Sequence, residues 1–159
     1  HITVGLLAKA AGVDPTAINY IAFSGGGEAL AAILGGQVTA GVSGVGEFLP
    51  QVEAGAMRIL AVSTAERAAN VDAPTLKEAG FDVALQNWRM VAAAPGLSPE
   101  QVAGITADIE ALAASEGWKA ALADRGWADT FLSGEAFATQ LAADTEQTAA
   151  ILKDIGLVQ

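Results

Sequence analysis

Two junctions in this chain are built mainly of glycine and serine where an apolar run gives way to a helical one. They are Phe23-Ser24-Gly25-Gly26-Gly27-Glu28 and Gly41-Val42-Ser43-Gly44-Val45-Gly46. The first N–H groups of a helix have no partners within it, and the helix dipole adds partial positive charge at that end. Gly25, Gly26 and Gly27 carry no side chains to hold a ligand away, so a carboxylate or phosphate can rest directly on the backbone. Ser43 and Gly44 offer similar donors at the second junction, and the Ser24 and Ser43 hydroxyls add two more. In an open parallel sheet, ligands bind beyond the carboxyl ends of the strands, so two such loops after successive strands face one crevice. The same glycines also read as tight turns under close packing. Glu28 competes with any anion for the positive end of its helix.

A third candidate is Asn87-Trp88-Arg89, inside a long extended run. On a strand crossing between lobes, Arg89 could pair with a carboxylate bidentately while Trp88 walls the pocket. A core tryptophan beside a salt-bridged arginine explains the same residues. Trp118 and Trp127 read as packing, and His1 as a frayed or capping terminal residue.

Several sharper chemistries fail on residue type. Gly44-Val45-Gly46 begins like a dinucleotide fingerprint, but Leu49 stands where the third glycine belongs. No loop carries the lysine and hydroxyl pair of a P-loop. Ser24 resembles a nucleophile elbow only loosely, and the single histidine, His1, is a poor candidate for its base. With one histidine and no cysteine, neither a zinc site nor a disulfide framework is expected. No catalytic residue and no cofactor is assigned.

The elements that position these residues follow from local signals. Thr3 to Ala11 has helical spacing and stops at Gly12; Ala17 to Phe23 is rich in β-formers; Glu28 to Leu34 is a helix closed by Gly35-Gly36. Val38 to Ser43 reads as a strand, Glu47 to Glu53 as a helix, and Arg58 to Ser63 as a third strand. Thr75-Leu76-Lys77-Glu78 is a capping box opening a short helix before Gly80. This alternation is the pattern of an α/β unit over residues 1–86, with a parallel sheet and covering helices. Beyond Pro95-Gly96 the chain is helical: Ser98-Pro99-Glu100-Gln101 opens one helix, Glu116 to Asp124 forms a second before Gly126, and Ser133 opens a third that stops at Gly156. Each tail helix has one apolar face and no evident sheet of its own to cover.

Composition narrows the partners. Hydrophobic residues make up 52% of the 159 and charged residues 16%, which is the profile of a folded protein. A net charge of −10 argues against nucleic acid, which needs a basic stripe, and against an anionic membrane surface. Small anions remain compatible, because salt screens charges beyond about 8–10 Å. The longest charge-free stretch, Ala29 to Gly46, is broken by Gly35-Gly36-Gln37 and reads as a core helix and strand. The chain opens at His1 without a methionine, so it reads as a trimmed product or a fragment.

Taken in order, four blocks resemble the receptors of tripartite tricarboxylate transporters, the Bug family. They are Ala22-Phe23-Ser24-Gly25-Gly26-Gly27-Glu28-Ala29-Leu30 with Leu34-Gly35-Gly36-Gln37-Val38; Glu53-Ala54-Gly55-Ala56-Met57-Arg58-Ile59-Leu60-Ala61-Val62-Ser63 with Glu66-Arg67; Pro74-Thr75-Leu76-Lys77-Glu78-Ala79-Gly80; and Asn87-Trp88-Arg89 through Ala94-Pro95-Gly96. The resemblance implies a two-lobed, type II-like periplasmic-binding-protein fold with the ligand between the lobes. Residues 1–86 would form the second lobe and 87–159 would return to complete the first, whose amino-terminal half would be absent. His1 resembles the histidine that closes a glycine-serine segment at the opening of the second lobe, which would bring it near the cleft. Two positions depart from the family pattern. Phe23-Ser24 replaces a frequent tyrosine-lysine, and Ser43-Gly44 replaces a frequent aspartate-asparagine. Loss of that aspartate favours a plain di- or tricarboxylate over an amino acid.

The expected function is non-enzymatic: an extracytoplasmic receptor, periplasmic or lipid-anchored, that delivers a carboxylate to membrane permease subunits. Its ligand would contact Ser24, Gly25, Gly26, Gly27, Ser43 and Gly44, with His1, Trp88 and Arg89 as further contacts. The alternatives are the ligand-sensing domain of a transcription regulator and an α/β enzyme acting on a phosphorylated substrate. A chain lacking half of one lobe should self-associate or exchange strands to cover its apolar faces.

Overall fold

In the computed structural model, which describes residues 1–68 and 71–158, helices form where the sequence supplies local starts and stops. Residue 159, at which the expected second region ends, lies outside the described residues. The chain divides into two units, one of His1–Asn87 together with the chain from Thr145 onward, the other of Trp88–Asp144.

The first unit holds α1 (Ile2–Ala10), α2 (Gly26–Leu34) and α3 (Val45–Glu53), with a single 3-10 turn at Pro15–Ala17 between the first two. Asp14 caps that turn, and hydrogen bonds from Thr16 hold its carboxyl below the usual aspartate range. The last turns of α6 (Gly134–Asp154) pack on α1 in this unit. Gly5 permits the approach: a Cβ there would lie 2.7 Å from Ile155 Cγ2, and both Ile151 and Ile155 are buried. Lys9 Nζ meets Asp154 at 2.5 Å, but both side chains are exposed, so the pair contributes roughly 0–1 kcal/mol. A second cluster forms around buried Val62, Val71 and Ala73, onto which α3 sets Val45 and Leu49.

The expected parallel sheet is corrected. Ala17 to Phe23, Val38 to Ser43 and most of Arg58 to Ser63 run without regular strand pairing, and the single ladder contact among the described residues is a parallel bridge between Val62 and Thr75. There, Val62 N–H donates to Pro74 O and Leu76 N–H to Val62 O, both at 2.9 Å. Beside it, Leu85 N–H donates to Ser63 O at 2.8 Å, and Ser63 Oγ returns a bond to Leu85 O. A parallel ladder is stable when both faces are covered. Ile18, Tyr20, Ile21, Phe23, Val42 and Leu60 instead remain exposed, so their runs lack that cover.

The Thr75 capping box forms as expected, with Thr75 N–H on Glu78 Oε2 and Glu78 N–H on Thr75 Oγ1. The short helix expected after it does not form: residues 76–80 are a hydrogen-bonded turn that ends at Gly80, with φ +94°. The Thr75 amide and then Arg67 hold the Glu78 carboxyl below the usual glutamate range.

The second unit holds α4 (Pro99–Ala114), α5 (Glu116–Arg125) and the start of α6. Ser98 and Gln101 form the full capping box on α4. Ser115 ends α4 and caps α5 through Trp118 N–H, and Gly126 closes α5 in the left-handed region. Ser133 Oγ donates to Glu110 Oε1 at 2.8 Å, tying the loop before α6 to α4.

Candidate functional site

Helices α2 and α3 both begin at glycine, and neither start has a side-chain cap. Gly25 is the N-cap of α2 and Gly44 that of α3. A hydroxyl or carboxylate cap would occupy the first donors of each helix; here those donors are left for other acceptors. The two helices pack together. Gly41, just before the second junction, allows this, since a Cβ on it would lie 2.5 Å from Ile33 Cδ1 of α2.

Glu47, in the first turn of α3, joins the two junctions. It accepts a hydrogen bond from Ser43 Oγ, and its carboxylate covers the Cα of Gly26, where any Cβ would collide with it. Gly26 is buried, whereas Ser24, Gly25, Gly27, Ser43 and Gly44 are exposed. The structure therefore brings Ser24 through Gly27 and Ser43-Gly44 to one place, at the starts of two neighbouring helices. Glu28 folds back in the same region and accepts from Ser24 N–H at 3.1 Å. Both helix starts thus carry a carboxylate from their own first turn, the sign that the helix dipole favours.

The remaining expected site residues are placed differently. His1 stacks flat on Tyr20, with ring centroids 3.9 Å apart and planes at 3°. Within the second unit, Trp88 donates its Nε1 to Asp144 Oδ2 at 2.5 Å and meets the Phe137 ring edge-on at 5.9 Å, so its indole is tied to α6. Gln140 Nε2 completes the grip on Asp144 from one turn earlier. Arg89 is exposed and donates to the Trp88 carbonyl at 3.4 Å.

Glu47 is the site residue that reading the sequence missed. Its signal was the four-residue spacing from Ser43, which puts a carboxylate one turn past a serine at a helix start. The contact with Gly26 had no sequence signal. Two concavities of the first unit, of about 290 and 390 Å³, lie elsewhere: one between α1, Val83 and the end of α6, the other around Val52, Met57 and Ile59. No junction residue lines either. Among the described residues no group of His, Cys, Asp and Glu could hold a metal ion, and no helix is long and apolar enough to cross a membrane.

The architecture is that of a solute-binding protein. The chain superposes on R. palustris Rpa4515, solved with adipate, with a TM-score of 0.80 at 25% identity, covering 98% of this chain and 52% of that one. It belongs to the tripartite tricarboxylate transporter family receptors, whose family model matches residues 1–157. Two relatives are Bordetella proteins. BugT of Bordetella pertussis is 25% identical over 142 residues, 88% of this chain and 44% of that protein. A UPF0065 protein of Bordetella bronchiseptica is 41% identical over 69 residues, 43% of this chain and 21% of that protein. The chain therefore spans less than half the length of these two curated relatives and about half of the solved structure.

Proposed function

We propose that this chain is part of an extracytoplasmic receptor that captures a small di- or tricarboxylate and passes it to the permease of a tripartite transporter. The observation that carries the reading is the meeting of two uncapped helix starts at Gly26 and Glu47, in a member of a receptor family. The adipate in the R. palustris structure supports the ligand class. A carboxylate at this place would accept from the backbone N–H groups of Gly25 through Gly27 and of Ser43-Gly44, with the Ser24 and Ser43 hydroxyls beside them. Neutral donors of this kind hold an anion without any proton transfer. His1, Trp88 and Arg89 are further proposed contacts, and Arg89 is the one that would add positive charge.

At the level of the fold, we read residues 1–86 as the ligand-holding lobe and 87–159 as part of the other lobe of a type II-like arrangement. The exposed apolar runs around Ile21 and Leu60 favour self-association of this chain.

A thermal-shift panel tests the function. Adipate and citrate are compared with amino acids, sugars and phosphates. Ligand at a hundred times its dissociation constant adds about 2.7 kcal/mol of stability, enough for a clear shift. A carboxylate-selective shift that weakens in Ser24→Ala and Arg89→Ala is expected. A shift with phosphates alone would sink the receptor reading in favour of an enzyme.

A further inference from the structure

We infer that Glu47 is a built-in competitor for the ligand carboxylate and sets how strongly, and in what order, carboxylates bind. The inference rests on the receptor reading above. Glu47 is not a distant charge: its carboxylate sits on the Cα of buried Gly26 and holds the Ser43 hydroxyl. The Ser43 hydroxyl is one of the donors that a ligand carboxylate would use, and the Gly26 Cα lies beside another, its own N–H. Two carboxylates cannot share one set of donors without strong repulsion. A ligand must therefore turn Glu47 out of its place and take over the Ser43 bond.

The side chain is suited to this exchange. Glu47 is exposed and lies in the first turn of α3, so it can rotate away without disturbing a packed core. Its neighbour Phe48 faces inward and is buried, which keeps the helix fixed while Glu47 moves. Glu28 does not duplicate the role, because it engages Ser24 N–H and leaves Gly26 to Glu47. A displaced Glu47 stays tethered nearby, so its charge still penalises each further charge on the ligand. Selectivity among mono-, di- and tricarboxylates should therefore depend on this residue.

Glu47→Gln keeps the size and helical fit of the side chain and removes its charge. Calorimetric titration of the wild type and this variant would use acetate, adipate and citrate as probes. The expected result is tighter binding in the variant, by about tenfold for citrate, which corresponds to about 1.4 kcal/mol, and by less for adipate and least for acetate. Glu47→Ala should show the same ranking, which guards against an accident of the amide. Weaker binding in Glu47→Gln would overturn the inference, because Glu47 would then be holding a donor group of the ligand. Unchanged affinities would overturn it too, while leaving the receptor reading intact. If no probe binds to the wild type or to either variant, the receptor reading itself falls, and this inference with it.

Discussion

Two helix starts in each unit are finished in opposite ways. In the second unit, α4 and α5 begin at Ser98 and Ser115, whose hydroxyls accept from backbone N–H groups three residues on. In the first unit, α2 and α3 begin at Gly25 and Gly44 without such caps. The capped helices have local bonds to define them. The uncapped ones depend on packing, and they leave donors facing outward at the place where the two junctions meet. Under the receptor reading proposed above, those uncapped starts are where a ligand carboxylate would bind.

If packing does hold the first unit, its largest single loss should come from the core rather than from a helix end. Ile151 of α6 is 1% exposed and packs against Gly5 of α1. Ile151→Ala should destabilise the chain by about 2–5 kcal/mol, read as a lower urea midpoint. A loss below about 1 kcal/mol would mean that the unit does not rely on this contact. Next in size is the cap itself: Ser98→Ala should cost about 1 kcal/mol in the same assay, with carboxylate affinity unchanged. A fall in affinity there would blur the distinction between the two units. The smallest effect on stability, and the sharpest test of the comparison, is Gly25→Ser, which gives α2 the cap it lacks. Stability should rise by only a few tenths of a kcal/mol, while carboxylate-induced thermal shifts shrink. A cap that leaves ligand shifts intact would break the link between missing caps and binding.

Much of the helical framework was legible in the sequence because its signals are local. Ser98 with Gln101, Ser115, Gly126 and Gly156 all act within one turn of where they stand, and the helices start and stop beside them. The strands were over-read. Ala17 to Phe23 has the right residue types, but a strand exists only through bonds to a neighbour, and composition does not supply that neighbour. Val62 shows the contrast, since its partner, Thr75, lies thirteen residues away beyond a loop. At the site, the glycine junctions were visible, but the strands from which a shared crevice was expected do not form, and the group that joins the junctions was not read. Glu47 reaches Gly26 across two packed helices, and nothing at either position announces the other. Trp88 was likewise read as a pocket wall or a core residue, and neither reading carried a signal for its bond to Asp144, 56 positions away.

The carboxylate over Gly26 also differs in kind from any molecule that drifts in from solution. It hangs on the same chain as the glycine it covers, so its effective concentration there is fixed by a few rotatable bonds. Dilution does not lower it, and dialysis, which strips a carried-over metabolite from a purified sample, leaves it where it is. However thoroughly the protein is washed, a carboxylate remains tethered beside that position.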